Sequence, residues 1–555
     1  MAVNKMDWQK NLLIAAIVAV LFTLVIRWND FQENLPITSV SNNATTNFES
    51  DIPAPVASDV PAVNDPEQSI ASAASQPASS ARIRVLTDSL DLLIDPHGGD
   101  IVRVTLPRHW AKQDTPDEAF VLLDDAHTYA LQSGLVGANG TDTAQGRPLF
   151  SADKTEYRLE AGSDQLIVDL RLQQGAVDII KRFIFTRGEY LVEMEYVIDN
   201  RSSDAWSANL YGQIKRDSQN YQKVSALQMN PFLGAAITTP DENYKKLSFD
   251  DLLEKDFKTT KQGGWVAMVQ HYFVSAWVPN SETQNNYHLR RSGTQDIYLL
   301  GFTSERTEVA PGSQGKLTAA FYAGPKDTKR LAQISPYLDL TVDYGFLWWI
   351  AKPLFWLLHL IHSWVGNWGL AIIGLTFIVK AAFFQLSATS YRSMAKMRKL
   401  APKMAELKER CGDDRQKLSQ EMMKLYKTEK VNPLGGCLPI LVQMPVFLAL
   451  YWTLMESVEL RHAPFILWIQ DLSVKDPYFV LPLIMGLTMF LQMRLNPAPP
   501  DPMQARIMQL MPIVFTFMFL WFPAGLVLYW VTNNTLGILQ QWYITRQIEN
   551  ADVKA

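Results

Sequence analysis

WGLAIIGLTFIVKAAFFQLS, residues 368–387, is twenty residues long and carries a single charge, Lys380. At about 1.5 Å of rise per residue, a helix of this length covers roughly 30 Å, the thickness of a bilayer's hydrocarbon layer. The reading is a membrane span. Four more apolar stretches follow, at 438–457, 478–494, 507–522 and 524–544. Lys380 falls about 18 Å along the helix from Trp368, past the bilayer middle. An ammonium at a span's centre costs about 2.5–3.5 kcal/mol on insertion scales, so it normally faces a wet cavity or a partner. Thr376 sits one turn earlier on the same face, and Gln443, Thr532, Asn533 and Asn534 add polarity to other spans. Glu456 and Glu459 fall near the outer end of theirs, so no carboxylate is an obvious mate. A cation with several amides around it points to a water-filled groove. The alternative is that Lys380 snorkels to the cytoplasmic headgroups.

Orientation follows from the loop at 388–436, which holds twelve basic residues against six acidic ones. The positive-inside rule puts it in the cytoplasm. Phe346–Val365 is also mostly apolar, but Lys352-Pro353, His359 and His362 interrupt it. If it crossed, the basic loop would face outward. It is therefore read as an amphipathic helix along the outer interface.

The basic loop itself reads as a helical hairpin, 388–431. Asp413 suits an N-cap for the second arm, with Gln416 as its capping-box partner. Met394, Met397, Leu400, Met404 and Leu407 recur at helical spacing on the first arm, with Met422, Met423 and Tyr426 on the second. The methionines either pack the arms together or offer an adaptable apolar surface. Basic neighbours such as Arg398 would meet ribosomal RNA or anionic lipid headgroups.

Upstream, Leu12–Ile26 lies between Trp8 and Trp28 and lacks a small-x-small cleavage pattern, so residues 1–30 read as an uncleaved anchor with a cytoplasmic N-terminus. The stretch 31–81 is rich in Ser, Ala, Asn, Pro and Asp and reads as a flexible tether. From 82 to 325 the period is two: Val102, Val104 and Leu106 alternate with Arg103 and Thr105, and Val192, Met194, Tyr196 and Ile198 with Glu193 and Glu195. Turn signals such as His97-Gly98-Gly99-Asp100 separate the runs, which argues for a large β-sandwich. Residues 326–366 connect it to a five-span core, 367–545, and 546–555 form a cytoplasmic tail. With the first anchor, six spans result and both termini are inside.

The two cysteines, Cys411 and Cys437, fall on the cytoplasmic side, and the polar domain has none, so no disulfide framework exists there. The net charge of −5 is mild, and no DNA partner is expected. No phosphate-binding loop, HExxH, nucleophile elbow or intramembrane aspartate pair occurs, so neither an enzyme nor a cofactor is expected. A transporter would show an internal repeat with paired broken helices, which is not evident.

Several runs now carry a resemblance: GGWVAM at 263–268, LDLTVDYGFLWW at 338–349, VGNWG at 365–369, SMAKMRKLAPKM at 393–404, EKVNPLGGCLPILVQMP at 429–445 and FPAGLVLYW at 522–530. Over almost its full length the chain resembles the YidC-type membrane protein insertases of Gram-negative bacteria. The resemblance implies a multi-domain inner-membrane protein, with an all-α six-span membrane part and a periplasmic all-β supersandwich. It implies a substrate groove lined by Thr376, Tyr529 and Trp530 beside the position of Lys380. The expected partners are nascent membrane proteins, the Sec translocon, and the ribosome and signal recognition particle pathway. The departure is Lys380 itself, where the family typically has arginine. Charge is kept, but the planar bidentate fork is lost.

Overall fold

The computed structural model of the protein describes residues 59–61, 81–113, 115–143, 146–221, 231–412, 414–429, 438–496 and 502–553. The apolar stretch Leu12–Ile26, most of the tether, Asp413, Asn432–Gly436 and Cys437 lie outside the described residues.

Between Ile83 and Pro325 the chain forms a ten-stranded and a nine-stranded sheet that share one apolar core. Pairing is antiparallel except where Ile83–Leu86 lies beside Glu156–Arg158. Alternation explains the burial. In the strand Leu191–Asn200, Val192, Met194, Tyr196 and Ile198 are fully buried while Glu193 points outward. Phe183, Trp265, Trp277 and Phe302 fill the space between the sheets. Each buried side chain of phenylalanine size contributes about 1.5–3 kcal/mol. The turn before the strand Asp100–Lys112 needs Gly98, whose φ is 78°. A Cβ there would lie 2.4 Å from the Arg147 guanidinium carbon.

This core encloses charge and bonds most of it, Asp100 Oδ1 being buried without a partner among the described residues. The fully buried Lys181 donates to the carbonyls of Gly98 at 2.9 Å and Ser133 at 3.0 Å. Arg147 is paired with Asp100 and, at 2.6 Å, with Asp142. Burial pushes the Lys181 ammonium down to about 7, which is the desolvation penalty expected of a charge out of water.

Ten helices complete the described residues. α1 (Phe249–Glu254) carries a capping box between Ser248 and Asp251, and α2 (Thr328–Ile334) is capped by Asp327. α3 (Trp348–Val365) runs through Pro353 and leaves Trp348, Trp349, Trp356 and Trp364 exposed. It ends at Gly366, whose φ of 66° closes the helix in the left-handed region. The remaining helices are α4 (Trp368–Ala382), α5 (Phe384–Cys411), α6 (Arg415–Thr428), α7 (Leu438–Glu456), α8 (Val480–Leu495), α9 (Pro502–Phe519) and α10 (Ala524–Val553).

Two expectations need correction. Residues 368–387 are not one straight span: α4 ends at Ala382, and α5 leaves at 66°. The apolar run gives way to Gln385, Ser387, Thr389 and Ser390 just past the bend, so the chain turns where its side chains stop favouring lipid. Among the described residues no single helix is long and apolar enough to cross a membrane by itself, and this bent pair has the length and composition to do so only together. The second correction concerns the cap of α6, which is Asp414, accepting from the backbone of Gln416 and Lys417. Its third helical residue is then Lys417, which cannot accept in return, so no capping box forms.

The β domain is fastened to the helices at one end. Lys326, just past the last strand, forms a buried ion pair with Glu456 at the end of α7, 2.5 Å apart. His271 bonds the Met455 carbonyl at 2.7 Å. Arg461 donates to the carbonyls of Trp110 and Ala111 and lies over the rings of Phe120 and Phe273.

Candidate functional site

Lys380 occupies the last turn of α4. The partial negative charge of a helix C-terminus favours a cation there by about 0.3–1 kcal/mol, which offsets part of its desolvation. Its Nζ lies 3.5 Å from where a Cβ on Gly537 of α10 would be. Gln492 Nε2 of α8 and the Tyr391 hydroxyl of α5 reach the same point at 3.3 and 3.5 Å. Gly537 therefore leaves the room into which three polar groups from three helices converge. Lys380 forms no hydrogen bond or ion pair with any of the described residues.

Polarity continues along both walls. One turn above, Asn534 bonds the Thr488 hydroxyl at 3.3 Å. One turn below, Gln541 donates to the Leu495 carbonyl at 3.2 Å and to Asn496 at 3.0 Å. Next to Gln541, a cavity of about 50 Å³ is lined by Tyr391, Met394 and Arg398. Asn533 lies one turn from Gly537 on the same face of α10 and is half-buried.

The other expected groove residues are distributed differently. Thr376 is fully buried, its hydroxyl donating to the Ile372 carbonyl at 2.7 Å, and Thr532 bonds Leu528 in the same way at 2.8 Å. Both hydroxyls serve their own helices. Tyr529 is buried, and Trp530 meets Phe447 of α7 edge-on, with ring centroids 4.6 Å apart. Phe515 and Phe519 of α9 complete this aromatic cluster. The Trp530 indole N–H is buried and has no acceptor among the described residues. Gln443 is half-exposed one turn before Phe447 on α7.

On the hairpin, the Tyr426 hydroxyl donates to the Met404 sulfur at 3.8 Å, which ties the arms, as does the 2.7 Å pair Lys403–Glu429. Met394 packs with Tyr391 and Ile544. Met397 and Met422 are half-buried and Met423 is exposed. Arg398 donates to the Arg494 carbonyl at the end of α8, so the structure uses it to seat the first arm. Tyr391, Gln492 and Gly537 escaped the reading of the sequence. Gln492, an amide inside an apolar stretch, was the one signal available.

Two family models cover the chain: the YidC periplasmic domain over residues 82–357, and the 60Kd inner membrane protein over residues 360–551. A membrane protein insertase YidC of Cellvibrio japonicus is 65% identical over 99% of this chain and 100% of its own length. The chain belongs to the YidC family of membrane protein insertases. A YidC of Saccharophagus degradans is 55% identical over 98% of this chain and 100% of its own. A solved YidC insertase structure aligns at 17% identity with a TM-score of 0.38, over 84% of this chain and 93% of that one. The assignment rests on the sequence matches. As a YidC-family member the chain is an inner-membrane protein with a periplasmic domain, an insertase and chaperone rather than an enzyme. It works with the machinery of membrane-protein biogenesis.

Proposed function

We propose that the chain inserts newly made inner-membrane proteins through a hydrophilic groove centred on Lys380, alone or together with the Sec translocon. The observation that carries this reading is the Lys380 ammonium, which converges with Gln492 and Tyr391 on Gly537 and has no counter-charge there. In this scheme the core has five spans, the N-terminal anchor is a sixth, and both termini are cytoplasmic. The β part is a periplasmic supersandwich, and α3 lies along the outer interface.

The hairpin receives the client from the ribosome or the signal recognition particle pathway, aided by anionic lipids at its basic face. A short hydrophilic client segment enters the groove, where amides and water lower its desolvation cost. Lys380 attracts acidic residues in that segment. At ~4 Å and an effective dielectric near 20, the attraction is about 4 kcal/mol before costs. The membrane potential drives acidic groups outward by about 2.3 kcal/mol per charge per 100 mV, and the apolar span passes into lipid along the aromatic cluster around Trp530.

The test is insertion of a single-span client with an acidic outer tail into liposomes holding only this protein, read by protease protection. Lys380→Ala and Lys380→Glu are expected to lower insertion more than tenfold, and Lys380→Arg to retain it. Equal insertion by all four proteins would remove Lys380 from the mechanism.

A further inference from the structure

The interfacial helix borders a cavity that the groove mechanism does not use. It measures about 500 Å³ and lies between α3 and the segment that leaves the β domain. Three observations give it a chemistry. Lys329 and Lys352 both line it. Lys329 is exposed and has no ion pair among the described residues, while Lys352 is 3.4 Å from Asp339, the one carboxylate on the lining, so the two lysines leave the cavity with a net positive charge. Tyr344 also lines it, and its hydroxyl is buried with no hydrogen-bond partner among the described residues. Finally, the wall contributed by α3 carries Trp356, which is 66% exposed, and the same helix exposes three further tryptophans. Tryptophan in that number is the mark of a surface at headgroup depth.

We propose that this cavity binds the phosphate headgroup of an anionic phospholipid from the outer leaflet. Lys329 and Lys352 neutralise the phosphate, and Tyr344 supplies a donor. The acyl chains run down past Trp356 into the bilayer. The volume suits a glycerophosphate headgroup, and two lysines on separate elements can take a tetrahedral anion as point charges without a planar fork. The lipid thereby joins α3 to the segment at Thr328, fixing the helix that connects the two parts of the chain. This inference rests on α3 lying at the outer interface.

Native mass spectrometry of the full chain, released from micelles supplemented with phosphatidylglycerol, tests it. Lys329→Ala is expected to lower the occupancy of one tightly retained phosphatidylglycerol about fivefold, and Lys329→Ala/Lys352→Ala to abolish it. Lys329→Arg should keep it. Lys329 has no ion pair to lose, so its single variants fold even where the double variant does not. Equal retention by the wild type and Lys329→Ala overturns the proposal. So does full displacement by millimolar inorganic phosphate, which would make the cavity a free-anion site. Phosphatidylethanolamine should be retained equally by all variants. A separate label at Trp364→Cys, with Cys411 and Cys437 replaced by serine, is read by quenching from headgroup spin-labelled lipid. Quenching without selective retention fails the headgroup site alone. Absent quenching fails the interfacial placement of α3.

Discussion

Two lysines, one fully buried and one half-buried, separate the β domain from the helical core. Lys181 sits between the sheets and spends its protons on two backbone carbonyls, with Asp100 and Asp142 nearby. Lys380 sits among helices, in the space left by Gly537, and none of the described residues pairs with it. A buried charge that is fully bonded contributes to one fixed arrangement of its neighbours. A charge left without a mate is retained against its desolvation cost for something that arrives later. The contrast is between these two ammonium groups rather than between whole domains, since Asp100 Oδ1 and Trp206 Nε1 of the β domain are also buried without a partner among the described residues.

The comparison breaks most severely at the joint. Glu456→Ala leaves the Lys326 ammonium buried and unpaired, and breaking such a pair costs about 3–5 kcal/mol. Loss of β-domain protection in hydrogen exchange on the full chain is the expected result. Glu456→Gln, which keeps shape and one acceptor, should cost less. An unchanged exchange pattern would mean that the ion pair does not hold the parts together. Next in size is Lys181→Met, which strips donors from the carbonyls of Gly98 and Ser133 and should destabilise the β domain by about 1–3 kcal/mol. Arg147 and Tyr196 still reach the Ser133 carbonyl, which limits the loss. Insertion of the acidic-tailed client should be unaffected, whereas Lys380→Ala shows the opposite pair of effects. If both variants lose stability and neither loses insertion, the two lysines are of one kind.

Acid sharpens the same contrast. Burial pushes the His271 imidazole down to about 3 and His109 to about 4. Above the ordinary histidine value of about 6.5 both folded and unfolded forms are neutral, and no stability is lost. Below it the unfolded chain takes up protons that the folded chain refuses, so stability falls from about pH 6.5 toward 3–4. Urea melts of the β domain signal should shift down across that window, and His271→Gln should flatten the slope. The smallest effect belongs to the hairpin. Asp414→Ala removes the cap of α6 and should cost about 1 kcal/mol locally, visible as faster exchange at Gln416 and Lys417 with no change in the β domain.

Legibility in the sequence followed the same division. The strands were readable because a sheet with one face in the core must alternate, and Val192 to Ile198 does so with Val197 as the one exception. Lys380 was readable because charge is costly in a lipid-facing run. The partners that give it meaning were not: Tyr391, Gln492 and Gly537 come from three helices far apart in the chain, and periodicity within one segment carries no register between segments. The bend after Ala382 was hidden for a related reason. Neither proline nor glycine marks it, and only the shift to Gln385 and Ser387 hints that the helix changes its surroundings. Glu456 read as a charge near the end of its span and Lys326 carried no sequence signal, until the fold set them 2.5 Å apart.

That joint has a mechanical consequence. Lys326 with Glu456, His271 with Met455, and Arg461 with Trp110 and Ala111 hold the β domain to the C-terminal end of α7 and the loop after it. It behaves as a weld rather than a hinge. A pull on the periplasmic sheets, from a folding client or a docked protein, loads α7 along its axis and is felt at Phe447, two turns down the same helix, against the ring of Trp530. The β domain is a handle on the aromatic cluster around Trp530.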